Sequence, residues 1–162
     1  MAQHAEASQV PRFRQRLEET LTEPEPMCLA MVRIDTDGLQ RALDDHDGPI
    51  EGHDGLDQVM AAVQSRLTYQ LRRYDLMARI EDDTFMLVVK TLADTRVLDA
   101  RMYQLYGALA EPYTIDDQTF VVPLALGAAV RLPSESAASL MRRADRALIV
   151  AEEAGGKAPV LI

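Results

Sequence analysis

The sequence predicts an α+β domain, a central and mostly antiparallel sheet with helices packed on it. Three observations lead there. Two pairs of β-rich runs are each joined by a short acidic turn, Glu81-Asp82-Asp83 in one and Asp116-Asp117 in the other, which reads as two hairpins. Two long segments, one through Leu56, Val59, Met60, Val63, Leu67 and Leu71 and one through Val97, Leu98, Met102, Leu105, Tyr106 and Leu109, carry apolar residues at helical spacing. The hairpins fall between helices instead of alternating strand by strand with them, which argues against a doubly wound parallel sheet.

Each element follows in order. The first ten residues are polar and predict a disordered end, so the domain is taken as 11–162. Phe13, Leu17 and Leu21 line one face of a short amphipathic helix that ends before Pro24 and Pro26. Residues 27–34 read as a buried strand stopping at Asp35-Thr36-Asp37-Gly38. The acidic, Gly/Pro-punctuated stretch from Leu39 to Gly55 predicts a short helix and a loop, and the Leu56–Leu71 stripe predicts the strongest helix. Residues 76–80 and 84–90 form the first hairpin, and Asp94 is placed as the cap of the next long helix. Residues 113–115 and 118–130 form the second hairpin, with Pro123 marking an edge or a bulge. Ser134 is placed as the cap of a last helix with Leu140, Met141, Ala144, Leu148 and Ala151 inward and a stop at Gly155-Gly156. Residues 159–162 predict a terminal strand.

At 162 residues the chain has room for one domain with a complete core and no more. A net charge of -9 excludes a binder of the nucleic-acid backbone, which needs clustered cations. No apolar run approaches the roughly 20 residues of a membrane span, and the first residues do not form a secretory signal. The single cysteine, Cys28, lies in an apolar run and reads as a buried thiol. Together these predict a cytoplasmic protein. His4, His46 and His53 lack metal-ligand spacing, and the methionines read as packing.

Several segments taken together resemble the GGDEF domain. These are the strand ending in Asp35-Thr36-Asp37-Gly38, the helix opening Gly52-His53-Asp54-Gly55-Leu56-Asp57, the hairpin Ala78-Arg79-Ile80-Glu81-Asp82-Asp83-Thr84-Phe85, Leu126-Gly127 in a strand, and Arg142-Arg143-Ala144-Asp145-Arg146-Ala147-Leu148 in the last helix. The resemblance covers residues from about 11 to 158. It implies a bacterial signalling domain with a nucleotidyl-cyclase-like palm. In that family the palm condenses two GTP molecules into cyclic di-GMP, with carboxylates holding two Mg²⁺ ions. Asp35 and Asp83 match the metal carboxylates, and Asp57 matches the residue that reads the guanine edge.

The same resemblance exposes the losses. Glu81 and Asp82 stand where the signature turn has two glycines, whose use is close backbone approach to the nucleotide. A carboxylate about 4 Å from a phosphate charge costs roughly 4 kcal/mol at an effective dielectric near 20. Thr84 replaces a glutamate, Phe85 is kept, and Glu152 falls where the family has a phosphate-binding lysine. The reading is therefore a degenerate turn with no catalytic residues, no resident metal or cofactor, and at most weak Mg²⁺ binding by Asp35 and Asp83.

Five residues ahead of the turn ends Arg72-Arg73-Tyr74-Asp75, which resembles the family's inhibitory RxxD site for cyclic di-GMP. Arg72 would pair with and stack on a guanine, Asp75 would accept from the opposite guanine edge, and Arg101 would assist. The plainer alternative is a cation-rich helix end with Arg72 and Asp75 paired at i,i+3. The Arg142-Arg143 pair reads as a solvated face. The leading functional reading is an inactive, regulatory GGDEF-like domain that binds cyclic di-GMP and touches an unidentified protein partner. One alternative is a nucleotide-independent scaffold or homodimerisation module using the Phe13, Leu17 and Leu21 face or an edge strand. Another is a residual diguanylate cyclase or GTP sensor.

Overall fold

The computed structural model describes residues 2–44 and 52–162, with the side chains of 2–9 and 52–54 left out. The order is α1 (Ala2–Thr20), β1 (Met27–Ile34), α2 (Thr36–Asp44), α3 (Gly52–Gln70), β2 (Leu76–Glu81), β3 (Thr84–Lys90), α4 (Arg96–Ala110), β4 (Tyr113–Ile115), β5 (Gln118–Phe120), β6 (Leu124–Val130), α5 (Ala137–Glu153) and β7 (Val160–Leu161). The α+β class holds. Five strands form one sheet in the order β2-β3-β1-β6-β7, and β4-β5 form a separate ribbon. All pairings in the large sheet are antiparallel except β6 with β7.

Alternation along β1 assigns its side chains to the two faces. Cys28, Ala30, Val32 and Ile34 meet Leu39 and Leu43 of α2, Val59, Val63 and Leu67 of α3, and Leu98 and Met102 of α4. Met27, Leu29 and Met31 meet Phe13 and Leu17 of α1 and Leu140, Ala144 and Leu148 of α5. The central strand is thus covered on both sides, which explains its unbroken apolar run. Burial pushes the Cys28 thiol up to about 12; the nearby Arg101 opposes this and Asp75 adds to it.

Several sequence expectations need correction. Helix α1 spans Ala2–Thr20 and so is longer than the short helix expected around Phe13, Leu17 and Leu21. Its apolar face is spent inside the domain, with Phe13 and Leu17 buried, so it is not a free dimerisation surface. Helix α2 starts at Thr36, earlier than expected, because Asp35 caps it. The run 118–130 splits at Pro123 into β5 and β6, since proline cannot donate to a ladder. Ser136, not Ser134, caps α5 by accepting the Ser139 N–H at 3.1 Å. Ser134 instead adopts a left-handed φ of 59° in the preceding turn. The N-cap of α4 is Thr95, not Asp94, and its side chain makes no capping bond; the Asp94 carboxylate one residue earlier accepts the Arg96 N–H at 2.9 Å.

Two close approaches fix where the site forms. A Cβ on Gly127 of β6 would lie 2.1 Å from the Leu148 main-chain nitrogen, so glycine lets α5 lie directly on the sheet. After α5, Gly156 turns with φ 67° and packs so tightly on Leu124 that a Cβ would meet its carbonyl at 2.4 Å. The Tyr106 hydroxyl donates to the Gly156 carbonyl at 2.6 Å and ties this turn to α4.

Candidate functional site

An open cleft of about 390 Å³ lies where β1 ends, between the β2–β3 turn and the end of α5. Arg33, Asp35, Asp37, Asp83, Glu152 and Gly156 are among the residues that line it. Asp35 emerges from β1 with its N–H donating to the Pro123 carbonyl at 2.9 Å. Its carboxylate accepts the Gly38 N–H at 2.9 Å and so caps α2. Gly38 permits this, since a Cβ there would stand 2.4 Å from an Asp35 carboxylate oxygen. Asp83 is anchored through its carbonyl, which accepts the Ile34 N–H at 2.9 Å.

A chain of polar contacts crosses the cleft floor. The Thr84 hydroxyl donates to Asp83 Oδ1 at 2.8 Å and accepts from Arg33 Nε at 3.1 Å. Arg33 Nη1 then donates to Glu152 Oε1 at 2.9 Å. Thr84 is fully buried, so its hydroxyl needs these partners. Four carboxylates (Asp35, Asp37, Asp83 and Glu152) face this space, and Arg33, the guanidinium among its described lining residues, is already engaged.

Glu81 and Asp82 are exposed at the hairpin turn. The Asp82 carbonyl accepts from the Arg79 guanidinium, through Nε at 3.1 Å and through Nη2. Neither residue takes a left-handed φ; among the described residues the non-glycines that do are Asp116, Asp117 and Ser134. The turn therefore forms without glycine. What Glu81 and Asp82 change is the space and charge in front of it.

Asp35 and Asp83 meet in the cleft as the sequence predicts, but Asp57 lies exposed on α3 and does not line it. Each of the two carboxylates already spends an oxygen on a neighbour. Among the described residues no three His, Cys, Asp or Glu side chains gather to hold an ion. His46 lies outside the described residues, and the side chains of His4 and His53 are likewise outside them.

The second predicted cluster is assembled in a different way. Arg72, Asp75 and Arg101 do come together, but the Asp75 side chain is wholly buried. Its carboxylate accepts the Arg72 N–H at 2.9 Å, the Lys90 N–H at 3.1 Å and Arg101 Nη2 at 3.2 Å. It staples the end of α3 to β3 and α4. Arg101 is also nearly buried, donates to the Gln70 carbonyl at 3.3 Å, and leaves Nη1 unpartnered. The Arg72 side chain is the exposed member, 3.4 Å from the Tyr74 hydroxyl.

Two further arginines have defined work. Of the pair expected on a solvated face, Arg142 is exposed, whereas Arg143 is half-buried, donates to the Val130 carbonyl at 2.9 Å and pairs with Glu135 at 2.9 Å. Sequence reasoning misses Arg33 altogether. The signal that could have found it is an arginine one residue before the end of an otherwise apolar strand, in register with Thr84 across the sheet.

The chain matches the family model "Diguanylate cyclase, GGDEF domain" over residues 11–158. It belongs to the GGDEF family. Among solved structures, the GGDEF domain of YfiN (TpbB) from Pseudomonas aeruginosa superposes with a TM-score of 0.79 at 23% identity, covering 94% of each chain. The GGDEF domain of DgcB from Caulobacter crescentus, solved with cyclic di-GMP, gives a TM-score of 0.75 at 20% identity, covering 93% of this chain and 86% of that one. At such identities the likeness shows the palm fold. Uncharacterised proteins of Mycobacterium bovis and Mycobacterium tuberculosis are 27% identical over 88% of the chain, which spans only 22% of their length. This GGDEF domain thus carries its signature turn as Glu81-Asp82-Asp83-Thr84-Phe85 on the hairpin that borders the cleft. Among the described residues no helix is long and apolar enough to cross a membrane.

Proposed function

We propose that this is a catalytically inactive GGDEF domain that serves as a regulatory module in cyclic di-GMP signalling. The observation that carries the reading is the Asp83–Thr84–Arg33–Glu152 chain across the cleft. Where the family's cyclases need a glutamate and a phosphate-binding lysine, this domain has a threonine and a glutamate locked onto Arg33. A triphosphate entering the cleft meets a surplus of carboxylates, and Arg33 is released only by leaving Glu152 without its partner. Calorimetric titration with Mg²⁺ and a non-hydrolysable GTP analogue tests this. The expected result is no heat at millimolar nucleotide; a dissociation constant in the micromolar range counts against the reading.

A second element of the reading is binding of cyclic di-GMP beside Arg72, as the sequence suggests. The exposed Arg72 guanidinium, next to Tyr74 and the Asp75–Arg101 pair, favours it. Because the Asp75 carboxylate is committed to three donors, the ligand's guanine is held by Arg72 through pairing and stacking, with Asp75 acting as the brace beneath. Titration with cyclic di-GMP decides it. Binding that disappears in Arg72→Ala supports the assignment, and the absence of heat with the unaltered domain removes it, leaving the scaffold role.

A further inference from the structure

The outer edge of β2 has no strand beside it among the described residues, since β2 ends the sheet and pairs only with β3. Helix α1 packs across the same strand, with Phe13 and Leu17 buried against Leu76 and Ala78. A narrow groove between them is lined by Arg12, Arg16, Leu76, Met77 and Ala78, with Phe13 at its base. Arg12 and Arg16 are exposed, and Arg73 is exposed just ahead of the strand. Among the described residues the side chains of these three arginines make no hydrogen bond or ion pair. Of the carboxylates close by, Asp75 is buried under Arg101, Glu18 pairs with Arg14, and Glu81 and Asp82 sit at the far, turn end of β2. Glu19, three residues after Arg16 on α1, is exposed and forms no ion pair with it.

We propose that this edge docks an acidic, extended segment of a partner protein, which adds to the five-stranded sheet beside β2. Three features of the site select that occupant. An open strand edge presents unpaired N–H and C=O groups that only another extended backbone satisfies in register. The unpaired arginines stand out on a domain of net charge -9, so a segment rich in carboxylates is attracted here and repelled by the molecule as a whole. The spacing also agrees. Arg12 and Arg16 are one helical turn apart, about 6 Å along α1, and alternate side chains on an added strand lie about 6.6 to 6.8 Å apart. Cations on an edge strand itself commonly serve to block pairing. Arg12 and Arg16 instead sit on the helix above the edge, where they leave the strand backbone open. The proposal concerns a face separate from the cleft and does not depend on the reading given for it.

The test uses the whole 162-residue chain and two fluorescein-labelled probes of about ten residues, one alternating Glu with Val and one alternating Glu with Pro. The expected result is binding of the Glu-Val peptide by fluorescence anisotropy, slowed amide exchange at residues 76–80, and no binding of the Glu-Pro peptide. Affinity should fall about tenfold in Arg12→Glu/Arg16→Glu and less in Arg12→Gln/Arg16→Gln. Circular dichroism checks that these exposed changes leave the fold intact. Failure to bind, equal binding of both peptides, equal binding by the variants, or unchanged exchange at β2 overturns the proposal. So does a concentration-dependent dimer abolished by Arg12→Glu/Arg16→Glu, which makes the occupant a second copy of the chain.

Discussion

Asp75 shows how one residue serves the fold while looking like a ligand-binding group. Its carboxylate accepts two main-chain N–H groups and the Arg101 guanidinium with none of its side chain exposed. Removing it strands a nearly buried cation, and breaking such a pair costs about 3–5 kcal/mol. Asp75→Ala should therefore lower unfolding stability by that amount in urea titration, independently of any effect on cyclic di-GMP. Glu135 gives a pH signature. Burial alone would raise its carboxyl, but the Leu132 N–H, the Ser139 hydroxyl and Arg143 outweigh that and hold it below the ordinary 4.5. A lowered folded-state value means stability that is present above the unfolded value and lost as pH falls through the folded one. Urea midpoints measured from pH 6 down to pH 3 should show this loss in the unaltered chain and a shallower one in Glu135→Gln.

Elements place these residues, and some of them are tuned less well than others. The β4–β5 hairpin turns through Asp116 and Asp117 with φ of 52° and 67°, the left-handed pair that favours an Asn-Gly dipeptide. The double substitution Asp116→Asn with Asp117→Gly should stabilise the domain by about 1 kcal/mol, seen as a raised melting temperature. In the other direction, Gly127→Ala drives a methyl into the α5 backbone at Leu148, where neither partner is a flexible side chain. A loss of about 3 kcal/mol or more is expected in urea titration. The sequence made β1, the β2–β3 hairpin, α3 and α4 legible because each has a clear apolar period and a turn or cap residue at its boundary. It misplaced the start of α5, because Ser134 and Ser136 are both plausible caps and only the turn geometry separates them. One alternative reading gave the α1 face to a partner, since apolar spacing does not say whether the covering surface belongs to the same chain.

At the scale of the whole molecule, the palm fold brings Asp35 and Asp83 together although they are far apart in sequence, and this much the resemblance anticipated. What the sequence hid was the set of contacts around the signature turn. The Arg33–Glu152 pair joins β1 to the end of α5 across a long stretch of chain, and no local pattern announces it. The same holds for the burial of Asp75, which depends on β3 and α4 closing over it. The cleft stays open, and internal contacts engage Asp83, Thr84, Arg33 and Glu152 along it. The most direct measurement is incubation of the purified chain with GTP and Mg²⁺, or Mn²⁺, followed by chromatography of the nucleotides. The account predicts unchanged GTP and no cyclic di-GMP even at high protein concentration. Formation of cyclic di-GMP that disappears in Asp83→Ala would contradict it.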